Sequence, residues 1–144
     1  MAKLNPYLNF NLETEAAFNF YKSVFGGEFI ILQRFKDIPD LPGNDQMTEQ
    51  EKEGIMHVSL PIGNGHILMA TDVIPSLGHA KAEGNNIYLS IGADSKEEAD
   101  HLFNGLSAGG DIEMPLQDTF WGAYFGMFTD KFGVKWMVNY DYPQ

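Results

Sequence analysis

Apolar residues recur along the chain with two different periods, and each period predicts its own kind of element. Residues 5–11 contain PYLNF, where apolar and polar positions alternate as in a half-buried strand. Apolar residues then return at steps of three and four, which predicts a helix from an N-cap at Thr14 to the pair Gly26-Gly27. The apolar stripe of this helix consists of Phe18, Tyr21, Val24 and Phe25.

Three strands are predicted after this helix. The first is EFIILQRF at 28–35, and the other two are IMHVSLPI at 55–62 and HILMAT at 66–71. The GNG between the last two is typical of a hairpin turn, so we expect them to pair antiparallel.

The segment 37–54 separates the first of these strands from the hairpin. It is acidic, contains prolines and glycines, and has no sustained apolar period, which predicts a long exposed loop. Such a loop acts either as a lid over a site or as a solvated excursion, and the sequence leaves both open.

The second half of the chain repeats the order of strand, helix and three strands. NIYLSIGA predicts a strand, and Ser95 is the expected N-cap of a helix that ends at Gly109-Gly110. Three strands follow, DIEMPL, 123–128 and VKWMVNY, and Asp130 and Gly133 are expected to build the turn before the last one. The apolar stripe of the second helix contains Ala99, Leu102, Phe103 and Leu106.

A direct comparison of the two helices indicates an internal duplication. EAAFNFYKSVFGG (15–27) and EADHLFNGLSAGG (98–110) align without a gap, and Glu, Ala, Phe and both glycines coincide. We therefore predict one α+β domain over 1–144, with βαβββ modules at about 1–72 and 85–144 joined by a linker at about 73–84. The modules are expected to form a curved mixed sheet around a concave pocket.

Composition and charge narrow the functional class. The chain is 44% hydrophobic without a long apolar run, which excludes a membrane-spanning helix, and its start lacks a secretory signal. It contains no cysteine, which excludes disulfides and thiolate sites and fits a cytoplasmic protein. The net charge of −11 argues against binding to nucleic acid or anionic membranes.

Several segments resemble one known superfamily. FNFYKSVFGGEF (18–29) and FWGAYFGMFTDKFGVKWMVN (120–139) are similar to signature segments of the vicinal oxygen chelate superfamily, which includes glyoxalases, extradiol dioxygenases and bleomycin resistance proteins. PYLNF, FYKSVFGG, DTFWG and DKFGVKWM resemble its PhnB-like branch in particular. The resemblance implies paired βαβββ modules, a small-molecule ligand and a homodimer.

The same resemblance identifies the positions where metal-using members hold an ion. In those members the first and last strands of each module supply His, Gln or Glu ligands, whereas this chain has none of them at the matching positions. We therefore expect no metal of the family type and no other cofactor. The matching positions are Asn5 or Pro6, Met69 or Thr71, Asn86, and Met137.

Four polar residues are candidates for catalysis or orientation of a ligand. His57, between apolar neighbours on a strand, could be a general base, a hydrogen-bonding partner of the substrate, or a structural histidine. Asp72, at a strand end, could orient a ligand or cap a turn. Asn9 and Asn139 could hold a substrate through their amides.

Aromatic residues near the C-terminal end are candidates for a binding pocket. Phe120 and Trp121 belong to QDTFWG together with Asp118, and Phe125 and Trp136 follow on predicted strands. Such side chains bury flat or apolar ligands, but they also build cores.

These residues leave three hypotheses. The first is a metal-independent protein that binds a small organic molecule in an aromatic-lined pocket, with or without chemistry at His57. The second is a sequestering protein without catalysis, and the third is a metal-dependent lyase or dioxygenase, which the missing ligands disfavour. The other histidines are expected to lie at or near the surface: His66, His79 and His101.

Overall fold

A computed structural model describes residues 2–144, which divide into two units. The N-terminal unit extends to Glu83, and the C-terminal unit comprises Gly84–Gln144. No helix among the described residues is long and apolar enough to cross a membrane. The predicted α+β class with two βαβββ modules is confirmed, and each unit has one four-stranded mixed sheet.

The N-terminal unit has a sheet of order β1-β4-β3-β2. Its first strand runs parallel to its last, and the other neighbours are antiparallel, including the predicted hairpin. The elements are β1 (Tyr7–Phe10), α1 (Thr14–Phe25), β2 (Ile31–Arg34), α2 (Glu49–Glu53), β3 (Ile55–Gly63) and β4 (His66–Asp72).

Helix α1 packs one face on this sheet, and its start differs from the prediction. Phe18 and Tyr21 are buried as the apolar stripe requires. Thr14, however, is the first helical residue rather than the N-cap, which is Glu13. The predicted cap is wrong because the Thr14 hydroxyl donates to the Asp72 carboxylate instead of accepting from its own helix.

The segment 37–54 is more ordered than the predicted loop. Thr48 caps α2 by accepting from the backbone N–H of Glu51 at 3.1 Å, and the Glu51 carboxylate accepts from the Thr48 N–H at 2.8 Å. The second Glu51 oxygen accepts from the N–H of Ser76 at 3.2 Å. Met47 is buried against Ile74, so this segment and the predicted linker pack into one small apolar cluster.

The C-terminal unit repeats the same topology, with a sheet of order β5-β8-β7-β6. Ser95 caps its helix as predicted, since its hydroxyl accepts from the Glu98 N–H at 3.0 Å. The predicted turn is also confirmed, because Asp130 accepts from the N–H groups of Phe132 and Val134 and Gly133 has a φ of 89°. The elements are β5 (Leu89–Gly92), α3 (Lys96–Ser107), β6 (Asp111–Asp118), β7 (Ala123–Thr129) and β8 (Lys135–Asp141).

Candidate functional site

The N-terminal sheet has one face that α1 does not cover, which we call the N-terminal far face. Phe10 belongs to the opposite face, where its ring packs edge-on against Phe18 of α1 at 6.4 Å between centroids. Strand register puts Tyr7 opposite Met69, and Met69 opposite Ser59, on the far face. The residues of this face are Tyr7, Asn9, Ile31, Gln33, His57, Ser59, Met69 and Thr71.

Three side chains of the N-terminal far face form a hydrogen-bonded chain. The hydroxyl oxygen of Tyr7 lies 3.1 Å from His57 Nδ1, and His57 Nε2 lies 2.8 Å from Ser59 Oγ. The Tyr7 and His57 rings also contact each other, with centroids 5.6 Å apart. Tyr7 is exposed, His57 is half-buried and Ser59 is buried, so the chain leads from the surface into the sheet. We call it the Tyr7–His57–Ser59 relay.

Burial affects the outer member of this relay. It raises the pKa of the Tyr7 hydroxyl above its ordinary value of 10.0, because burial disfavours the charged phenolate. Tyr7 is therefore a neutral hydroxyl at physiological pH. A neutral phenol can donate one hydrogen bond and accept others.

Asp72 does not join His57. Its Oδ1 accepts from the N–H of Thr14 at 3.0 Å and from its hydroxyl at 2.6 Å, and its Oδ2 accepts from the Ile55 N–H at 2.8 Å. The carboxylate is 2% exposed and faces α1, not the far face. We leave Asp72 out of the candidate site because internal donors use both of its oxygens.

The two predicted amides lie on the far faces of their own sheets. Asn9 is exposed at the position opposite Thr71 on β4. Asn139 is half-buried on β8, opposite Phe125, and its amide donates to Asp141 at 3.1 Å. Both remain candidates for ligand contacts.

The C-terminal sheet also has a far face, opposite α3. Phe128 belongs to the helix-facing side, where its ring meets Phe103 of α3 at 5.0 Å between centroids. The alternate positions of the strands form the C-terminal far face, which is rich in methionine. Its central residues are Ser90, Met114, Gln117, Phe125, Met127, Met137 and Asn139.

The predicted aromatic residues divide between a surface group and the core. Phe120 is 97% exposed and Trp121 56% exposed at the β6–β7 turn, and Trp121 contacts the Phe125 ring at 6.1 Å between centroids. Trp136 is different, because it is 1% exposed and its indole N–H donates to Asp130 at 2.9 Å. We therefore correct its assignment from ligand-binding residue to core residue.

The remaining sequence candidates take separate positions. His66 is exposed beside the hairpin turn, and His101 is exposed on α3. His79 is exposed, and its Nδ1 accepts from the backbone N–H of Ile74 at 2.9 Å. Asp118 accepts from the Tyr142 hydroxyl, and this bond raises the pKa of Tyr142 to about 12.

Sequence reasoning missed a polar cluster on the C-terminal sheet. Glu113 accepts from the hydroxyls of Tyr88 and Thr129 and from the ammonium of Lys135, the last two at 2.9 Å. These bonds, chiefly the one from Tyr88, lower the pKa of Glu113 from 4.5 to about 2. A bulge between Ile112 and Met114 brings Glu113 to this position, and no pattern in the sequence predicts that bulge.

A charged cleft of about 490 Å³ lies within the N-terminal unit and was also not predicted. Arg34 forms an ion pair with Glu15 there, and Lys36 pairs with Glu53 at 2.9 Å. Asp72 is among the lining residues, with its oxygens bonded as described above. Each of these two pairs joins one cationic and one anionic side chain, so the charges within each pair neutralise each other.

The residues at the family's metal positions do not fit a divalent ion. Asn5 uses its amide oxygen to accept from the Ile67 N–H at 3.2 Å. Met69 and Met137 offer thioethers, which are soft ligands that suit copper(I) rather than a hard divalent cation. Residues 2–144 contain no group of three or more His, Cys, Asp or Glu side chains that could hold a metal ion.

Comparison with protein families agrees with the fold and with the signature segments. The family model of the glyoxalase/bleomycin resistance protein/dioxygenase superfamily matches residues 3–138. The chain belongs to this superfamily. Within it, the Escherichia coli protein YjdN is 33% identical, over 94% of this chain and 93% of that protein.

Solved structures confirm this membership of the superfamily. The structure of protein PA1353 from Pseudomonas aeruginosa has a TM-score of 0.82 and 39% identity, over 98% of both chains. A Bacillus cereus PhnB protein, titled a putative 3-demethylubiquinone-9 3-methyltransferase, has a TM-score of 0.74 and 27% identity, over 96% of this chain and 99% of that one. This likeness supports the PhnB-like branch predicted from the sequence.

Proposed function

We propose that this superfamily member binds a small organic molecule on the far face of a sheet, without using a metal ion. The observation that carries the proposal is the Tyr7–His57–Ser59 relay. Polar side chains that bond to one another on a face away from the helix contribute little to a core, so recognition of a ligand explains them better. Asn9 and Thr71 extend the polar character of the same face.

The C-terminal far face, taken by itself, is a second candidate surface and suits an apolar group of a ligand. Met127 and Met137 are half-buried neighbours, and flexible thioethers adapt to ligands of different shape. Trp121 and Phe125 add an aromatic contact at the edge of this face. This surface therefore suits a ligand with an apolar or aromatic portion.

Catalysis and sequestration use the same residues differently. In the catalytic form, His57 takes part in proton transfer, a role that contributes about 10²–10⁴ in rate. In the sequestering form, the aromatic contacts supply the affinity and no product is made. The net charge of −11 favours a cationic ligand in either form.

Native mass spectrometry of protein purified from its own cells is the first test. We expect a small molecule to be retained at one copy per chain and released by denaturation. Trp121→Ala and Phe125→Ala should weaken the binding of this molecule. Phe29 is a half-buried aromatic residue whose ring contacts Lys22, so Phe29→Ala is the control and should leave the binding unchanged. Unchanged binding in both Trp121→Ala and Phe125→Ala would contradict a contribution of these aromatic side chains to affinity.

A second experiment separates catalysis from sequestration. His57→Asn should abolish turnover of the identified molecule while retaining most of its binding, with exposed His66→Asn as the matched control. No turnover in either the parent protein or the variants, together with dependence of affinity on Trp121, would favour sequestration.

Two further points concern methyltransferase activity and the oligomeric state. We do not propose methyltransferase activity, which the name of the PhnB relative suggests, for this chain. The strand-to-helix junctions of this chain, 11–13 and 93–95, contain no glycine-rich loop for a nucleotide-like cofactor. The homodimer predicted from the resemblance can be tested by sedimentation equilibrium.

A further inference from the structure

We propose that Tyr7 is the hydrogen-bond donor to the bound molecule, and that His57 is a positioning residue with its ring proton on Nδ1. This inference rests on the proposed function, because it assigns roles within the same far face. It reverses the simpler expectation that the imidazole itself faces the ligand as the reactive group.

Ser59 fixes the direction of the first hydrogen bond. Ser59 is only 5% exposed, so water supplies few hydrogen bonds to its hydroxyl. Among the described residues, the hydrogen-bond partner of Ser59 Oγ is His57 Nε2, at 2.8 Å. A buried hydroxyl proton without an acceptor is costly, so the Ser59 hydroxyl donates to Nε2. Nε2 of the neutral ring therefore carries no proton.

The second hydrogen bond then follows from the chemistry of imidazole. A neutral ring with unprotonated Nε2 has its proton on Nδ1, which becomes the donor. The Tyr7 hydroxyl oxygen, 3.1 Å away, is the acceptor. The Tyr7 hydroxyl proton is consequently directed away from His57.

Tyr7 is suited to use that proton on a ligand. The residue is 48% exposed on the N-terminal far face, so its hydroxyl is accessible, and its raised pKa keeps the proton in place at neutral pH. All the bonds of the relay point from Ser59 through His57 to Tyr7, and hydrogen bonds in such a chain polarise one another. The matching ligand group is an oxygen acceptor such as a carbonyl.

Nitrogen NMR of the ligand-free protein tests the direction of the relay. Long-range ¹H–¹⁵N correlation of histidine rings distinguishes the Nδ1–H from the Nε2–H tautomer, and we expect Nδ1–H for the neutral ring of His57. His79 is an internal reference of the opposite kind, because its Nδ1 accepts from the Ile74 N–H and its proton must be on Nε2. His57→Gln and His79→Gln assign the two signals.

Two matched variants identify which neighbour sets the tautomer. Ser59→Ala removes the donor to Nε2 with little change in volume, so His57 should shift toward the Nε2–H form. Tyr7→Phe removes the acceptor but leaves Ser59 in place, so the Nδ1–H form should persist. An Nε2–H tautomer or averaging of both tautomers in the parent protein, or a tautomer unaffected by Ser59→Ala, would overturn the proposal.

The result is independent of whether a ligand is found. The spectra report the relay in the free protein, so an Nδ1–H tautomer without any retained small molecule would contradict the proposed function alone. A retained molecule with an Nε2–H tautomer would contradict only the role given to Tyr7.

Discussion

Thr14 and Asp72 lie 58 positions apart and are joined by two hydrogen bonds to one carboxylate oxygen. The other oxygen accepts from the N–H of Ile55. One buried carboxylate therefore connects the start of α1, the start of β3 and the end of β4. The role of Asp72 at the end of β4 is therefore structural rather than catalytic.

Asp72→Asn is expected to lower the free energy of unfolding by about 3 kcal/mol, because an amide has one acceptor oxygen and the N–H of Ile55 would face a donor. Denaturation with urea measures the change. Asp111→Asn replaces an exposed acid at the start of β6 and should stay within about 0.5 kcal/mol of the parent. Equal stability of the two variants would show that the Asp72 bonds contribute nothing specific.

Gly126 allows the close approach of α3 to its sheet. A Cβ at this position would lie 2.6 Å from the Phe103 ring and 3.0 Å from backbone atoms of β6. Gly126→Ala should therefore cost about 1–3 kcal/mol through overpacking. Gly92→Ala is the matched strand control, since no atom lies within 4 Å of its added Cβ. Thermal unfolding that ranks the two variants in the opposite order would refute this account of the packing.

Glu113 should make the protein sensitive to acid. Its pKa in the folded state is about 2, below the ordinary 4.5, so its contribution to stability is present above pH 4.5 and is lost as the pH falls toward 2. Glu113→Gln should reduce the fall in unfolding free energy over this range, measured by urea denaturation at several pH values. A parallel pH profile for Glu113→Gln and the parent would contradict the prediction.

Divalent metal ions should not stabilise this protein. A ligand that binds only the folded state stabilises it by an amount that grows with the logarithm of the ratio of its concentration to its dissociation constant. Millimolar Mn²⁺ should therefore produce no shift of the melting temperature relative to EDTA. Elemental analysis of protein purified without chelators should likewise find no stoichiometric transition metal. If EDTA removed a bound ion and lowered the stability of the protein, the residues at the family's metal positions would hold a metal after all, and this prediction would be wrong.

The regular parts of the fold were predictable because local patterns determine them. The stripe of α3 and the Ser95 cap needed only helix periodicity and hydroxyl capping, and the GNG turn needed only glycine-rich turn chemistry. The segment 37–54 was mispredicted because the Thr48–Glu51 capping box is short and stands between breakers. Its burial depends on Ile74, which lies far along the chain.

The candidate site was predictable only in part. His57 could be selected as a polar residue among apolar neighbours, but its partner Tyr7 comes from β1, 50 positions earlier. The sequence predicts both Trp136 and Phe125 as aromatic residues on strands. Only the strand register shows that they belong to opposite faces of the C-terminal sheet. The partners of Asp72 were not predictable from its neighbours in sequence, because Thr14 and Ile55 lie on other elements.

The parallel pairing of β1 with β4 has a consequence for synthesis of the chain. Tyr7 is made early, but the strand that holds it in register includes Met69, so β1 has no sheet neighbour until the ribosome has released most of the N-terminal unit. The hydroxyl that we assign to ligand recognition is thus brought to His57 at the end of the unit's assembly. A nascent chain truncated before His66 would contain all three members of the relay without the strand that aligns them.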